Sequence, residues 1–340
     1  MSRPIHPAAR TAIVIVTYRR PALLADLLAS VEAMTALPQD VIVVDNASND
    51  GSEDIVRNAA DRISNLTYVQ LPENTGGSGG FMVGMQAALK LGADWVWMMD
   101  DDVMVYPDAL IDLMGYTDRY ETIIGRRHNA DGSTYFFQNF FVESLGIHLP
   151  RPGNIFEKSD VWETNLATFE GLFISAKRVA EIGLPDPRFF ITWDDVVHGW
   201  LASQRGPVAC VDKFVMQRVR RQRQISLGVR HLSDSSDLSR RYVMRNRGHV
   251  ARYLRKDNRY RPILFAMGTG LTLAKELVRL LLVERSLKGW SALRQGMDEA
   301  KTIMQDPAWK PMPSLHVAAS DATVSSADGK TTGNRRPRHQ

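Results

Sequence analysis

Between residues 11 and 102 the chain alternates short apolar runs with amphipathic ones, and few folds accept that rhythm. "TAIVIVTY" is β-branched and too short for a buried helix, so it predicts a strand. "PALLADLLASVEAM" follows, with Leu23, Leu24, Leu27, Leu28 and Val31 at helical spacing and Pro21 suited to the first turn. "DVIVVDNAS", "LTYVQL" and "DWVWMMDDD" predict three more strands, separated by helices in "GSEDIVRNAADRI" and in "GGFMVGMQAALKLG", which Gly92 closes. This βαβαβαβ order predicts an α/β fold with a mostly parallel sheet and helices on both faces. Ligands of such sheets bind beyond the carboxyl ends of the strands. Those ends carry polar residues at 17–19, 45–46, 74–77 and 100–102. One such cluster is turn chemistry; four at one sheet edge favour a site.

The second half is less regular. "TFEGLFISAKRVAEIGLPDPRFFITWDDVVHGWLASQRG" reads as a strand, a helix near 176–182, a Gly-Leu-Pro turn, and Trp193-Asp194-Asp195 entering another helix. "DLSRRYVMRNRGHVARYLRK" is helical in pattern, with one or two more helices beyond it. Residues 263–274 are apolar, but Lys275, Glu276 and Arg279 interrupt them, and crossing a bilayer takes about 20 apolar residues. A helix packed on the core is favoured over one lying on a membrane surface. Residues 1–10 read as a loose leader and 314–340 as a disordered polar tail.

The single cysteine, Cys210, excludes an intramolecular disulfide and a multi-cysteine zinc site. With no apolar segment in "MSRPIHPAAR", the expected location is cytoplasmic. The net charge of +4 is concentrated: nine arginines lie between Arg218 and Arg247. Such a cluster suits phosphates, an anionic membrane surface or nucleic acid, or is simply a solvated face.

"WMMDDDV" places Asp100, Asp101 and Asp102 at a strand end. Asp100 and Asp102, two apart, can share a face while Asp101 points elsewhere. Mg²⁺ or Mn²⁺ typically binds through one or two carboxylates plus substrate phosphates. The bland alternative is an Asp-rich turn running into water.

"IVIVTYRRP", "VIVVDNASNDGS", "NTGGSGGFMVGM" and "WVWMMDDDV", in this order and spacing, resemble the nucleotide-sugar-binding half of inverting glycosyltransferases of the GT-A fold, family 2. The resemblance covers roughly residues 11–250. It implies a catalytic domain there, with a nucleotide-sugar half at 11–103 and an acceptor half at 104–250, followed by C-terminal helices at 251–313. It further implies that Thr17, Tyr18, Arg19 and Asp45 bind base and ribose. Asn74, Gly76 and Gly77 would approach the diphosphate-sugar, where a bare backbone comes closest, and Asp101 would make a neighbouring donor contact. A metal, Mn²⁺ or Mg²⁺, would rest on Asp100, Asp102 and a histidine.

Within the family the chain is most similar to galactofuranosyltransferases and bacterial rhamnosyltransferases, through "GLPDPRFFITWDDVVHGWLASQRG". The likeness makes Asp195 the general base that takes the acceptor hydroxyl's proton. Asp194 would hold an acceptor hydroxyl and Trp193 would stack on a sugar. A helix start favours aspartate anyway, and the two readings are compatible. Two departures stand out. Val197, followed by His198, replaces a frequent Glu. The metal histidine, usually preceded by Trp and upstream of an "RN" helix (here Tyr242, Arg245 and Asn246), has His231 after Arg230 as its best match and His249 as a weaker one. Glu170 in "TFEGLF" would contact a sugar or form a salt bridge.

The resemblance therefore implies inverting, metal-dependent transfer of a hexose. Galactofuranose from UDP or rhamnose from dTDP would pass to a polyprenyl-linked saccharide or a cell-envelope polysaccharide. The arginine cluster and C-terminal helices suit the inner face of an anionic membrane, to which the protein would bind peripherally. Two other classes compete. A nucleic-acid-binding protein would leave Asp100–Asp102 idle, and the basic run lacks interleaved aromatics, so no nucleic-acid partner is expected. A metal-dependent nucleotidyltransferase would have no use for the Trp-Asp-Asp segment.

Overall fold

The computed structural model describes residues 9–135, 139–220, 224–226, 231–233 and 236–315, with backbone alone at 224–226 and 231–233. The chain opens with β1 (Thr11–Thr17), α1 (Pro21–Glu32), β2 (Asp40–Asp45), α2 (Ser52–Ala60), β3 (Leu66–Gln70), α3 (Gly76–Lys90) and β4 (Trp95–Asp100). The four strands are parallel, in the order β3-β2-β1-β4. β1 and β2 are buried along their whole length, as strands covered on both faces must be. Alternate residues of β1 serve the two layers: Ile13 and Ile15 meet Leu24, Leu27 and Leu28 of α1, while Val14 and Val16 meet Phe81 and Met85 of α3. Gly80 and Gly84 let α3 lie close, since a Cβ at Gly84 would fall 2.3 Å from Val14 Cγ1.

β5 (Val103–Val105), α4 (Ala109–Met114), β6 (Thr122–His128), β7 (Thr134–Tyr135), β8 (Asn139–Val142), β9 (Ile147–Pro150), β10 (Val161–Thr164), β11 (Leu172–Ser175), α5 (Ala176–Ile182), α6 (Asp194–Ser203) and β12 (Val208–Arg218) follow. β11 joins β4 antiparallel, and β6, β12 and β10 continue the sheet beyond it, which makes the whole mixed rather than parallel throughout. Trp95 stacks on Phe173 of β11 at 4.8 Å, and Trp97 is fully buried.

The chain ends in β13 (Gln224–Ser226), β14 (His231–Ser233), α7 (Asp237–Arg245), α8 (Arg247–Lys256), α9 (Pro262–Val278), a π-helical turn at Arg279–Glu284, and α10 (Trp290–Gln305). α8 runs through the expected domain boundary at residue 250. Its Val250, Ala251, Tyr253 and Leu254 share one apolar cluster with Trp193, Val196, Val197 and Trp200, so the last helices complete the core beneath α6. α9 packs on the core through one face, as expected, and leaves a second apolar face outside. Phe265, Gly268, Thr272 and Glu276 are buried, but Ile263, Leu264, Met267 and Leu271 are exposed.

Candidate active site

A cavity of ≈ 1180 Å³ opens at the carboxyl ends of the strands, lined among others by Gly77, Asp100, Trp193, Asp194, Asp195 and Arg218. Residues far apart in sequence therefore converge at the edge that the strand order singles out.

The loop after β1 is fastened from below by Asp101. Its carboxylate is buried and accepts from Thr17 Oγ1 at 2.7 Å, from the Tyr18 amide at 3.4 Å and from Arg20 at 2.9 Å. Asp101 thus sets the loop that carries Tyr18 and Arg19, and Thr17 is itself buried under it. Arg19 adopts a left-handed conformation (φ 54°), donates its amide to Ser48 Oγ and lays its guanidinium over the Tyr18 ring. Asp45 does similar work after β2, accepting from the Ser48 amide and hydroxyl and from Tyr68 Oη at 2.6 Å. Asn46, part of the 45–46 strand-end cluster but given no role from sequence, bridges to the next segment through Thr75 and the Gly76 carbonyl.

The glycine-rich run forms the first turn of α3. Asn74 Oδ1 accepts from the Gly76 amide at 2.8 Å. Gly76 has φ +72°, and a Cβ there would fall 2.0 Å from the Phe190 carbonyl oxygen, so the position excludes any side chain. Gly77 has open space where a Cβ would be and faces the cavity.

Asp100 and Asp102 close this side of the site. Burial, reinforced by Asp102, Glu170 and Asp101, holds the Asp100 carboxyl well above the ordinary carboxylate range. Burial and Glu170 raise Asp102 as well, partly offset by Arg20, which approaches to 3.4 Å. Glu170 goes the other way: burial opposes its ionisation, but Arg127 at 3.0 Å and a bidentate Arg218 keep it charged. Of its two sequence readings, the salt bridge is the one formed. Two carboxylates crowded by a third negative charge gain most from a cation, and their oxygens suit a hard divalent ion completed by phosphates. Among the described residues no group of three His, Cys, Asp or Glu side chains assembles around them. His231 begins β14, but its side chain lies outside the described residues. His249 is far from this role. It is buried against Phe189 and accepts from Trp309 Nε1 at 2.9 Å, and burial lowers its pKa to about 3.

Across the cavity stands the Trp-Asp-Asp segment. Ser78 Oγ donates to Asp194 Oδ2 at 2.7 Å, tying α3 to the start of α6. Burial raises the Asp194 carboxyl, opposed by that hydrogen bond. Burial and the neighbouring Asp194 push Asp195 up to about 8. Trp193 is fixed by Nε1 donating to the Val243 carbonyl, with its ring edge-on to His148 at the cavity wall. The backbone here is strained: Phe190, Thr192 and Trp193 all have positive φ. Asn246 holds it, its buried Nδ2 donating to the carbonyls of Phe189, Ile191 and Thr192 at 2.8, 2.9 and 3.0 Å. His198 sits below the site against Phe169, and burial lowers its pKa to about 4.

Among the described residues, the arginine cluster is not one solvated face. Arg218 pairs with Glu170, Arg240 with Asp237 and Glu284, and Arg241 with Glu299. Arg245 donates to the Arg188 carbonyl, and buried Arg247 donates to the carbonyls of Gly146, Leu145 and Phe265. Arg220 approaches Asp102 at the cavity rim, and Arg221, Arg223 and Arg230 lie outside the described residues. Most of the described arginines of the run serve charge pairing and carbonyl capping, which a charge count does not reveal.

Residues 12–172 match the family described as Glycosyl transferase family 2. The galactofuranosyltransferase GlfT1 of Mycobacterium tuberculosis is 32% identical over 249 residues, covering 70% of this chain and 80% of that protein. GlfT1 of Mycolicibacterium smegmatis is 29% identical over 189 residues, 54% of this chain and 62% of its own. Among solved structures, TarS residues 1–349 of S. aureus superpose with a TM-score of 0.59 at 14% identity, covering 87% of this chain and 81% of that one. GalNAc-T7, solved with UDP, GalNAc and Mn²⁺, gives 0.53 at 16% identity over 64% of this chain and 45% of its own. These likenesses and the strand-end site agree: the chain belongs to glycosyl transferase family 2 and is a glycosyltransferase with a GT-A-like fold.

Proposed function

We infer that the protein transfers a galactofuranosyl residue from UDP-galactofuranose, with inversion, to a lipid-linked saccharide or envelope polysaccharide. The names of the relatives favour galactofuranose over rhamnose from dTDP. The observation that carries the reading is that Asp195, Asp100 and Gly77 line one cavity. Asp195, raised by burial and Asp194, is a base matched to a hydroxyl proton near neutral pH. Asp194, held by Ser78, would orient an acceptor hydroxyl, and Trp193 would supply an apolar face to a sugar ring. Asp100 and Asp102 would hold Mn²⁺ or Mg²⁺, which supplies Lewis-acid neutralisation of the diphosphate when bound. The Gly76–Gly77 backbone would accept the diphosphate-sugar, and the loops fixed by Asp101 and Asp45 would present Tyr18 and Arg19 to the nucleoside.

The test is a donor screen by thermal shift with Mn²⁺, followed by turnover of Asp195→Asn. UDP-galactofuranose should raise the melting temperature of both proteins, because ligand binds the native state. Asp195→Asn should release no UDP. Loss of donor binding in that variant would remove Asp195 from the role of base.

A further inference from the structure

α9 and the π-helical turn after it carry apolar side chains on two faces: inward, Phe265 and Leu280 are buried in apolar clusters, with Leu273 and Leu277 packed beside Leu280. Of their two carboxylates, Glu276 is completely buried and pairs with Arg279 and Glu284 pairs with Arg240, while the outward face is apolar apart from the Lys275 side chain, which is 40% exposed. From Pro262 to Leu282 the other exposed residues are Pro262, Ile263, Leu264, Ala266, Met267, Gly270, Leu271, Ala274, Val278, Leu281 and Leu282, with no charged side chain among them. Ile263 is 79% exposed, Met267 57% and Leu282 61%. These 21 residues make a stripe about 30 Å long at helical rise. Monomeric proteins seldom leave such a stripe in water.

Charge brackets the stripe at both ends. Arg255, Lys256, Arg259 and Arg261 are exposed before it, and Arg285 and Lys288 after it, with Leu287 and Trp290 exposed beside the latter. An apolar band between cations, with a tryptophan at its edge, matches the layering of an anionic bilayer interface: acyl chains, then headgroups. A second copy fits poorly. Both ends of the stripe are basic, so pairing it with itself in either direction sets cation against cation. Residues 316–340 of this chain offer two valines as their only large aliphatics, too little to cover it.

The stripe is also continuous with the site. Leu271, Thr272, Lys275 and Arg279 line the catalytic cavity from the α9 side. We propose that the outward face of α9 and its π-helical extension is a docking surface for an anionic lipid bilayer, which sets the cavity mouth against the headgroups. A glycolipid acceptor would then reach Asp195 laterally from the membrane; this consequence rests on the transfer reading above, whereas the surface itself does not. No described helix is long and apolar enough to cross a membrane, so the contact is interfacial.

The experiment is flotation of the full chain with phosphatidylcholine vesicles, with and without phosphatidylglycerol. It compares the wild type with the triple variant Ile263→Glu, Met267→Glu, Leu282→Glu, whose sites lie outside the cavity. The wild type should float with anionic vesicles, and the variant should lose about tenfold or more in vesicle affinity while melting as the wild type does. The proposal is overturned if the wild type stays unbound, or if the folded variant floats equally well. It is also overturned if light scattering shows a wild-type dimer that the variant dissociates. The donor thermal shift reads separately: vesicle binding without any nucleotide-sugar shift supports the surface and removes the transfer reading.

Discussion

Ser78 and Asp194 are 116 positions apart, yet the Ser78 hydroxyl donates to the Asp194 carboxylate at 2.7 Å inside the protein. One hydrogen bond therefore couples the helix that follows the glycine run to the helix that carries the proposed base. Both partners are buried, so removing one leaves the other unsatisfied. Ser78→Ala should cost about 1–3 kcal/mol of stability, read as a shifted urea midpoint at unchanged slope. It should also reduce kcat, because Asp194 and Asp195 lose a fixed start to α6.

The pH dependence follows from Asp195. A carboxyl raised by burial and a negative neighbour is protonated, and idle as a base, at acid pH. Activity should therefore rise with pH on an acid limb near 8. Asp194→Asn removes the neighbouring charge, so the limb of the residual activity should move to lower pH. A limb that stays in place would mean that the titrating group is not Asp195.

Asp100 and Asp102 make an opposite statement about stability. Their folded pKa values are raised, so the protonated forms favour folding; that contribution is complete below the unfolded carboxylate pKa and is lost as pH rises through the folded value. At neutral pH the metal-free protein carries this electrostatic cost. Asp100→Asn should raise the metal-free melting temperature and cancel the gain from Mn²⁺. For the wild type, Mn²⁺ at 100 times its Kd should add about 2.7 kcal/mol. Equal Mn²⁺ stabilisation of the two proteins would place the ion elsewhere.

The parallel block was readable because each of its strands is a short apolar run, β-branched in β1 and β2, that ends in polar residues. The added strands were not. β5, β7 and β10 are two to four residues long, and β12 carries Lys213 and Gln217 within an apolar frame, so their pairing is decided by long-range register. The convergence of Asp100, Gly77 and Asp195 was legible from motif order. The roles of Ser78, Asn46, Arg127 and Arg218 were not, since each acts through a partner distant in sequence. The outward face of α9 escaped for another reason. Periodicity assigns burial to an apolar face; α9 has two, with Phe265 buried on one and Ile263, Met267 and Leu271 exposed on the other.

Asn246 offers the sharpest test of how the proposed base is held. Left-handed conformations at Phe190, Thr192 and Trp193 cost about 1–3 kcal/mol each, and persist only where surroundings impose them. The Asn246 amide meets three carbonyls of that segment, and its own Oδ1 accepts from Arg245 at 2.7 Å. Aspartate is nearly isosteric but cannot donate, so Asn246→Asp should set a carboxylate against three carbonyl oxygens and free the loop. The expected signature is kcat lowered by about 100-fold or more, the scale at which small misplacements of reacting groups act, with UDP affinity within about twofold of wild type. The proposed nucleoside-binding groups after β1 and β2 do not touch the segment that Asn246 holds, whereas Trp193, Asp194 and Asp195 follow directly from it and the start of α3 meets it at Phe190. Steady-state kinetics beside calorimetric UDP binding separates the two: equal losses in both would mean that Asn246 supports the fold as a whole rather than the position of the base.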